Sequence, residues 1–444
     1  MFEKVIIADR GEIAVRILRA LRELDIPSVV VYSTADKNSL PVLLADEAVC
    51  IGPADIRESY LNFAAIFSAA KLTGSQAIHP GYGPLAENLE FVEASNEMGI
   101  VFIGTSVDSM SLMSDKLAAK RAAIKAGIPV VPGSDCPIED NREALDLAES
   151  LGFPVIIKAV GGGGGRGIKV VEEHSDFLDT FALAKNEARN YLKNPGVYIE
   201  KYLAGARHIE FQICADTLGN VVHLGERDCS IQRRYQKVIE ESPGALIDDS
   251  LRKTMGDAAL RFVKSVGYTN IGTVEFLLMG EDRFFFSEMN TRIQVEHAVT
   301  EMVTGIDVVK EQIRLAAGEP LRYNQQEIEF RGHSIECRIM AEDPLRLTPS
   351  SGKITQYIPP GGPGVRVDSL LFCGAFVNPY YDSLIAKLIT LAPNRDLSIR
   401  RMKRALAEFV IEGISTTIPL CEKLIRDPDF INGYTSGGFI DKYI

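Results

Sequence analysis

Short apolar runs alternate with amphipathic stretches through the first hundred residues of the chain. The runs at 5–8, 29–32, 48–51, 77–78 and 101–103 suit strands buried on both faces of a parallel sheet. Between the first two, Ile13, Ile17, Ala20, Leu21 and Leu24 fall on one side of a helix, and Glu12, Arg16, Arg19 and Glu23 on the other. Repeated strand–helix units with short links predict an open, doubly wound (Rossmann-like) sheet. A dinucleotide is not expected on it: Ala8-Asp9-Arg10-Gly11-Glu12 offers one glycine where the dinucleotide fingerprint needs three.

Helical periodicity then fills about 106–127. Gly127-Ile128-Pro129 and Val131-Pro132-Gly133 break it. A compact second unit follows to Leu203, and a mixture of strands and helices of the α+β kind fills the rest. The expected division is 1–113, a helical connector at 114–129, a glycine-containing unit at 130–203 and a C-terminal unit at 204–444. No internal repeat or low-complexity linker interrupts this order.

The chain has 444 residues, enough for two to four domains, with 46% hydrophobic and 24% charged residues. Its net charge of −12 argues against nucleic acid or an anionic membrane surface as a partner. Positive charge for an anionic substrate must therefore be gathered locally. Seven dispersed cysteines without a CxxC pair fit reduced thiols in a cytoplasm, and six histidines form no HExxH. The N-terminus lacks an apolar signal segment, and no stretch is long enough to span a bilayer.

Three segments carry candidate chemistry. The run Gly161 to Gly165, alone, reads equally as a flexible linker. Strand-like sequence enters it at Lys158 and leaves it at Ile168, so the glycines read better as a hairpin tip whose backbone N–H groups can approach phosphates. No Gly-Lys-Ser/Thr follows, so the run is not a P-loop.

The second segment is Phe284-Phe-Phe-Ser-Glu-Met-Asn-Thr-Arg-Ile-Gln-Val-Glu296. Strand alternation puts Glu288, Asn290 and Arg292 on one face, joined by Gln294 and Glu296 if extension persists, with Met289, Ile293 and Val295 facing a core. A preceding run at 273–278 and a turn at 279–282 predict a hairpin that brings Glu275 onto the face of Glu288. Two carboxylates and an amide oxygen are hard ligands suited to Mg²⁺ beside nucleotide phosphates, and unpaired they would repel one another without a cation. The same five groups could instead form a solvated face.

The third segment contains Arg233, Arg234 and Lys237. A charge run is usually solvated, but in so acidic a chain a local cluster is the expected way to hold an anionic substrate. Arg338, in a strand-like run, is either half of an ion pair or a ligand for an anionic oxygen.

Together these segments resemble the biotin carboxylases of the ATP-grasp superfamily. Two motifs are complete: Phe153-Pro-Val-Ile-Ile-Lys-Ala-Val-Gly-Gly-Gly-Gly-Gly-Arg-Gly167 and Phe286-Ser-Glu-Met-Asn-Thr-Arg-Ile-Gln-Val-Glu-His297. Arg10-Gly-Glu-Ile-Ala14, His79-Pro-Gly-Tyr-Gly83, Glu226-Arg-Asp-Cys-Ser230 and Tyr380-Tyr-Asp-Ser383 extend the likeness over essentially the whole chain.

The resemblance implies a doubly wound N-terminal domain, an ATP-grasp lid domain and a C-terminal catalytic domain. It also implies roles. Lys116 and Lys158 would hold ATP phosphates, with Gly164 and Gly165 in the lid. Glu200, Lys201, Tyr202 and Leu203 would line the adenine site, largely through backbone groups. His208, Gln232 and Tyr235 would lie by the nucleotide. Glu275, Glu288 and Asn290 would bind Mg²⁺ or Mn²⁺.

Lys237, Arg292, Gln294 and the Val295 backbone would position bicarbonate, and Glu296 would act as general base. Carboxyphosphate would break to CO₂ and phosphate, phosphate would take the ureido proton of biotin, and Arg338 would stabilise the enolate oxygen, with Tyr82 nearby. The implied partners are a separate biotin carboxyl carrier protein, carboxyltransferase subunits and a second copy of the chain, with Arg16, Arg19, Glu23 and Arg366 at the dimer contact. The implied pathway step is the first half-reaction of acetyl-CoA carboxylase in fatty acid synthesis. Tyr235 stands where the family often has histidine, and Pro84 and Pro363 where it often has an aromatic residue.

Four rival readings remain. Carbamoyl-phosphate synthetases and purine-pathway carboxylating ligases share the carboxylate pair but lack the Arg292-to-Glu296 run together with Arg338. A carboxylase that carries its own biotin needs a lysine between methionines, and Met402-Lys403-Arg404 matches poorly. A non-catalytic nucleotide-binding regulator would have lost a ligand residue, yet every position holds a competent one. A biotin carboxylase component of another acyl-CoA carboxylase is the nearest alternative.

Overall fold

The computed structural model describes residues 1–161, 167–191 and 196–443. Strands β1 (Val5–Ile7), β2 (Ser28–Ser33), β3 (Glu47–Gly52), β4 (Ala77–His79) and β5 (Val101–Phe102) form one parallel sheet in the order β3-β2-β1-β4-β5. The order reverses direction at β1, as a doubly wound sheet requires. Strands β1 and β4 are buried throughout, but in the edge strand β3 Glu47, Ala48 and Cys50 are exposed. Burial on both faces was expected for all five. An outermost strand has a neighbour on one side only, and the sequence pattern does not distinguish it.

The helix Gly11–Glu23 buries Ile13, Ile17, Ala20 and Leu21, as its periodicity predicts. Its polar side departs from expectation, because Glu12 and Arg16 are buried too. This helix is sandwiched: its apolar residues join a core with Ile293, Val308, Val309 and Ile313 from the C-terminal half.

Beyond the helices Val107–Ser114 and Lys116–Lys125, strands β6 (Val155–Ala159), β7 (Ile168–Val171) and β8 (Val197–Lys201) make a small antiparallel sheet ordered β7-β6-β8. Lys158 pairs with Ile168, so β6 and β7 are the two arms of the predicted hairpin. Its tip, with Gly164 and Gly165, lies outside the described residues. The segment at 130–134 lies beside β8: Gly133 bridges to Glu200, Ser134 N–H donates to the Ile199 carbonyl, and Lys201 N–H donates to that of Pro132.

The remainder is organised by one eight-stranded antiparallel sheet. Its strands include β9 (Arg207–Ala215), β10 (Val221–Arg233), β11 (Gln236–Ser242), β12 (Asn270–Met279), β13 (Arg283–Asn290) and β14 (His333–Met340). The order is β13-β12-β9-β10-β11-β14, followed by Leu384–Ala392 and Val365–Ser369. Alternation along β9 sends Ile209, Phe211 and Ile213 into a core with Phe262, Val274 and Phe276, and leaves His208, Glu210 and Gln212 on the opposite face. That polar face is the floor of a cleft.

Candidate functional site

Strands β12 and β13 form the predicted hairpin, with Glu275 directly opposite Glu288 and Thr273 opposite Asn290. Extension stops there. The chain turns at Thr291, whose N–H donates to Glu87 at 3.1 Å, and a helix begins at His297. Gln294 and Glu296 therefore reach the cleft through a bend and not along a strand face. Ile293 and Met289 are buried as expected, whereas Val295 is only half-buried.

The centre of the cleft is the Lys237 ammonium. It donates to Glu210 at 2.5 Å, Glu275 at 3.0 Å and Glu296 at 2.6 Å. Burial disfavours its charge, but the three carboxylates hold its proton affinity well above the usual lysine range. The other members of the basic run separate from it. Arg233 faces Glu342 at 3.5 Å, and Arg234 and Tyr235 form an exposed two-residue turn between β10 and β11 with φ of 47° and 64°. Tyr235 stands on the side of Lys158 and Tyr202, with 46% of its surface exposed.

Each predicted metal-binding acid already has a cationic neighbour. Lys116 donates to Glu288 at 3.0 Å, and Glu275 receives Lys237 and lies 3.1 Å from His208. The expectation that these carboxylates repel one another unpaired is thus corrected, since the lysines neutralise them. Lys116 is the main cause of a Glu288 pKa lowered to about 2. Burial opposes the charge of His208, yet Glu275 and Glu210 push it up to about 9. The Gln232 side-chain amide contacts the other ring nitrogen of His208 at 2.9 Å, which fixes the ring. The donor set still fits a hard divalent cation. Glu275 and Glu288 are cross-strand neighbours, Asn290 lies against Glu275 at 2.8 Å, and the Glu288 side chain is 37% exposed toward the cleft.

Arg338 is an ion-pair partner on the cleft wall. Its Nε donates to Glu240 at 2.5 Å and its Nη2 to Glu296 at 2.9 Å. Glu296 thus sits between Lys237 and Arg338. Burial raises its proton affinity, and the two cations with Arg227 more than offset that, so it is ionised. Arg292 donates to Glu87 at 3.0 Å and to Asn290 at 3.4 Å. Gln294 uses both ends of its amide, donating to Glu275 and accepting from Arg227, each at 2.9 Å. The Val295 carbonyl accepts from Lys387 at 2.8 Å. Tyr82 donates its hydroxyl to Glu12 and lies within electrostatic reach of Arg338.

Farther along the cleft, Lys158 donates to Glu200 at 2.8 Å and Lys120 to the other oxygen of that carboxylate at 3.0 Å. Lys201 turns away, donating to the carbonyls of Gly152 and Phe153. Tyr202 and Leu203 come next, half-buried, and the Tyr202 N–H donates to the Pro154 carbonyl at 3.2 Å. That N–H is therefore committed within the chain and not left open as an adenine contact.

Glu210, Arg227, Lys120 and Glu87 escaped the sequence reading. A signal for Glu210 exists in His208-Ile-Glu-Phe-Gln212, where polar and apolar residues alternate. Arg227 is fully buried and spends all three guanidinium nitrogens on Glu210, Gln212, Thr300, Thr273 and Gln294. Glu87 meets Arg292 across 205 residues, and no local pattern signals it.

Known proteins share this architecture. The family model "Biotin carboxylase, N-terminal domain" matches residues 1–110, "Carbamoyl-phosphate synthase L chain, ATP binding domain" matches 115–324, and "Biotin carboxylase C-terminal domain" matches 336–442. Biotin carboxylase 1 of Bacillus subtilis is 54% identical over 100% of the chain and 99% of its own length. The Nostoc biotin carboxylase is 52% identical over 99% of each. Among solved structures, the Campylobacter jejuni biotin carboxylase–βγ-ATP complex superposes with a TM-score of 0.97 at 47% identity, covering 100% of the chain and 99% of its own. The biotin carboxylase domain dimer of Hydrogenobacter thermophilus 2-oxoglutarate carboxylase, solved with MgADP, ADP and bicarbonate, gives 0.96 at 46% identity, covering 100% and 98%.

Proposed function

The chain belongs to the biotin carboxylase family, and from that premise we propose how its cleft carboxylates biotin with ATP and bicarbonate. The observation that carries the reading is the Lys237 ammonium, which ties Glu275 to Glu296 within 3.0 Å. A cation-binding acid and an ionised carboxylate thereby share one pocket.

In this reading Lys116 and Lys158 bind the phosphates of ATP. They are already positioned by Glu288 and Glu200, so little side-chain freedom is lost when the nucleotide arrives. Glu275, Glu288 and Asn290 hold magnesium, which neutralises phosphate charge. Lys237 and Arg292 attract bicarbonate, Gln294 and Val295 shape its seat, and Glu296 accepts its proton. A carboxylate gripped by two cations is a weak base. When Lys237 turns toward the incoming anion, Glu296 loses one of those cations and its proton affinity rises. Bicarbonate oxygen then attacks the γ-phosphoryl group, ADP leaves, and the resulting carboxyphosphate breaks down to CO₂ and phosphate. Phosphate takes the ureido proton, Arg338 stands beside the enolate oxygen of biotin, and the ureido nitrogen bonds to CO₂ to give carboxybiotin.

The same reading supplies partners: a separate biotin carrier protein, carboxyltransferase subunits of the acetyl-CoA type, and a second copy of the chain. Arg19 and Glu23 are largely exposed and suit a dimer contact, while Arg16 is turned inward onto Glu301. The division at 1–113, 114–129, 130–203 and 204–444 belongs to this proposal, supported by the change of sheet between β8 and β9. No helix is long and apolar enough to cross a membrane among the described residues.

ATP hydrolysis measured with and without bicarbonate and free biotin tests the reading. Hydrolysis should require bicarbonate and rise with biotin. Stimulation by ammonia or an aminoribonucleotide in place of biotin overturns the substrate assignment.

A further inference from the structure

Behind Arg338 lies a second carboxyl pair that the reaction scheme leaves unused. The register of β11 and β14 puts Glu240 directly opposite Glu336, and both are fully buried. One oxygen of Glu240 accepts from Arg338 at 2.5 Å. Its other oxygen, and both oxygens of Glu336, have no hydrogen-bond partner among the described residues.

The surrounding charges do not balance this pair. Arg338 and Lys237 are shared with Glu296. Lys387, on the strand Leu384–Ala392, donates to the Val295 carbonyl at 2.8 Å and lies 3.3 Å from Glu12 and 3.9 Å from Asp368, with His297 nearby. Asp368 is itself paired with Arg366. Arg227 is shared between Glu296 and Glu210, and Lys237 also reaches Glu210 and Glu275, so Glu12, Glu210, Glu240, Glu275, Glu296 and Glu336 outnumber Lys237, Arg227, Arg338, Lys387 and His208. A dry carboxylate with no donor, next to a second one, is among the most unfavourable arrangements in a protein interior. Protonating one member removes the repulsion and turns an orphaned acceptor into a donor.

We propose that Glu240 and Glu336 hold one proton between them and together act as positioning residues that set the charge behind Arg338 during biotin carboxylation. The proposal rests on the assignment of Arg338 to biotin. Burial raises the proton affinity of both; Glu296 adds to this at Glu240, which is pushed up to about 7, and Glu240 and Glu296 add to it at Glu336, which is raised further. While the proton is held, Arg338 faces one negative charge at its Nε and keeps its Nη2 for Glu296 and the substrate. Loss of the proton at higher pH adds a buried negative charge that draws Arg338 back from the cleft.

Two variants and one spectroscopic signal test this. Infrared titration of the intact chain should show a protonated-carboxyl carbonyl band at neutral pH that fades on the alkaline side. Glu336→Gln should lose that band. Glu240→Gln should lose it as well, because the neighbouring negative charge that helps keep Glu336 protonated is then gone. Glu336→Gln should also move the alkaline limb of biotin carboxylation upward by about one pH unit or more. If Glu336→Gln does not fold, the titration of the intact chain and of Glu240→Gln still decides. Either variant retaining the full band, or an alkaline limb unmoved in folded Glu336→Gln, overturns the shared proton. Normal biotin carboxylation by Arg338→Lys would overturn the role of Arg338 and leave the band in place, so the two failures are distinguishable.

Discussion

Glu296 is held by two cations, Lys237 at 2.6 Å and Arg338 at 2.9 Å, and that geometry separates binding from chemistry. Glutamine at this position keeps the shape and one acceptor oxygen, so it can accept from only one of the two cations, and it cannot take a proton. We expect Glu296→Gln to bind ATP nearly as the parent does and to lose turnover by about 10²–10⁴-fold, the range attributed to a general base. Equilibrium nucleotide binding and bicarbonate-dependent hydrolysis check the two halves, and unchanged turnover removes Glu296 from the role. At this scale the sequence was readable where chemistry obeys a strand period. Alternation was enough to place Glu275 beside Glu288, and the polar alternation in β9 could have yielded Glu210. It was silent on Glu87 and Lys120, whose partners lie 205 and 80 residues away. Such pairings depend on how whole elements are stacked.

Element by element, both hairpins and all five strands of the parallel sheet were foreseeable, because turn residues and apolar runs are local signals. The path of the chain after β13 was not. The alternation of polar and apolar residues continues through Glu296, so the pattern alone favours one long strand. The bend arises from tertiary contacts, notably Thr291 on Glu87. The break at Val131-Pro-Gly133 was visible as a boundary, yet its function is structural. Gly133 lies so close to β8 that a Cβ there would fall 2.3 Å from the Ile199 carbonyl oxygen and 2.8 Å from the Glu200 Cα. Those two atoms are backbone, which cannot yield as a flexible side chain could. Gly133→Ala should therefore cost about 1–3 kcal/mol of stability and displace Glu200 from Lys158. Thermal unfolding and the KM for ATP report the two effects. A raised KM with kcat little changed is expected, and an unaltered KM would show that β8 does not position Lys158 through Glu200.

Across the whole molecule, the N-terminal sheet is fastened to the C-terminal half by buried charge as well as by apolar contact. Arg16 on the helix Gly11–Glu23 donates to Glu301 at 2.8 Å and to Asp307 at 2.6 Å, and Arg366 donates to the other oxygen of Glu301 at 2.7 Å. Helical periodicity assigned Arg16 to a solvated side, since nothing in 13 residues announces that a second layer will cover them. Burial alone would raise the proton affinity of Glu301, but the two arginines reverse that and bring it from an ordinary 4.5 down to about 2. A depressed folded-state value favours the folded form wherever the unfolded carboxylate is ionised. The contribution is complete above about pH 4.5, drains away as pH falls through about 2, and is on the order of 3 kcal/mol. Glu301→Gln cannot titrate. It should be less stable than the parent at neutral pH, because Arg16 and Arg366 lose a buried counter-charge. It should also show a shallower loss of stability on acidification across that window. Urea midpoints measured from neutral pH down to about pH 3 test both expectations, and parallel curves for parent and variant would mean that this ion cluster does not couple the two halves of the chain.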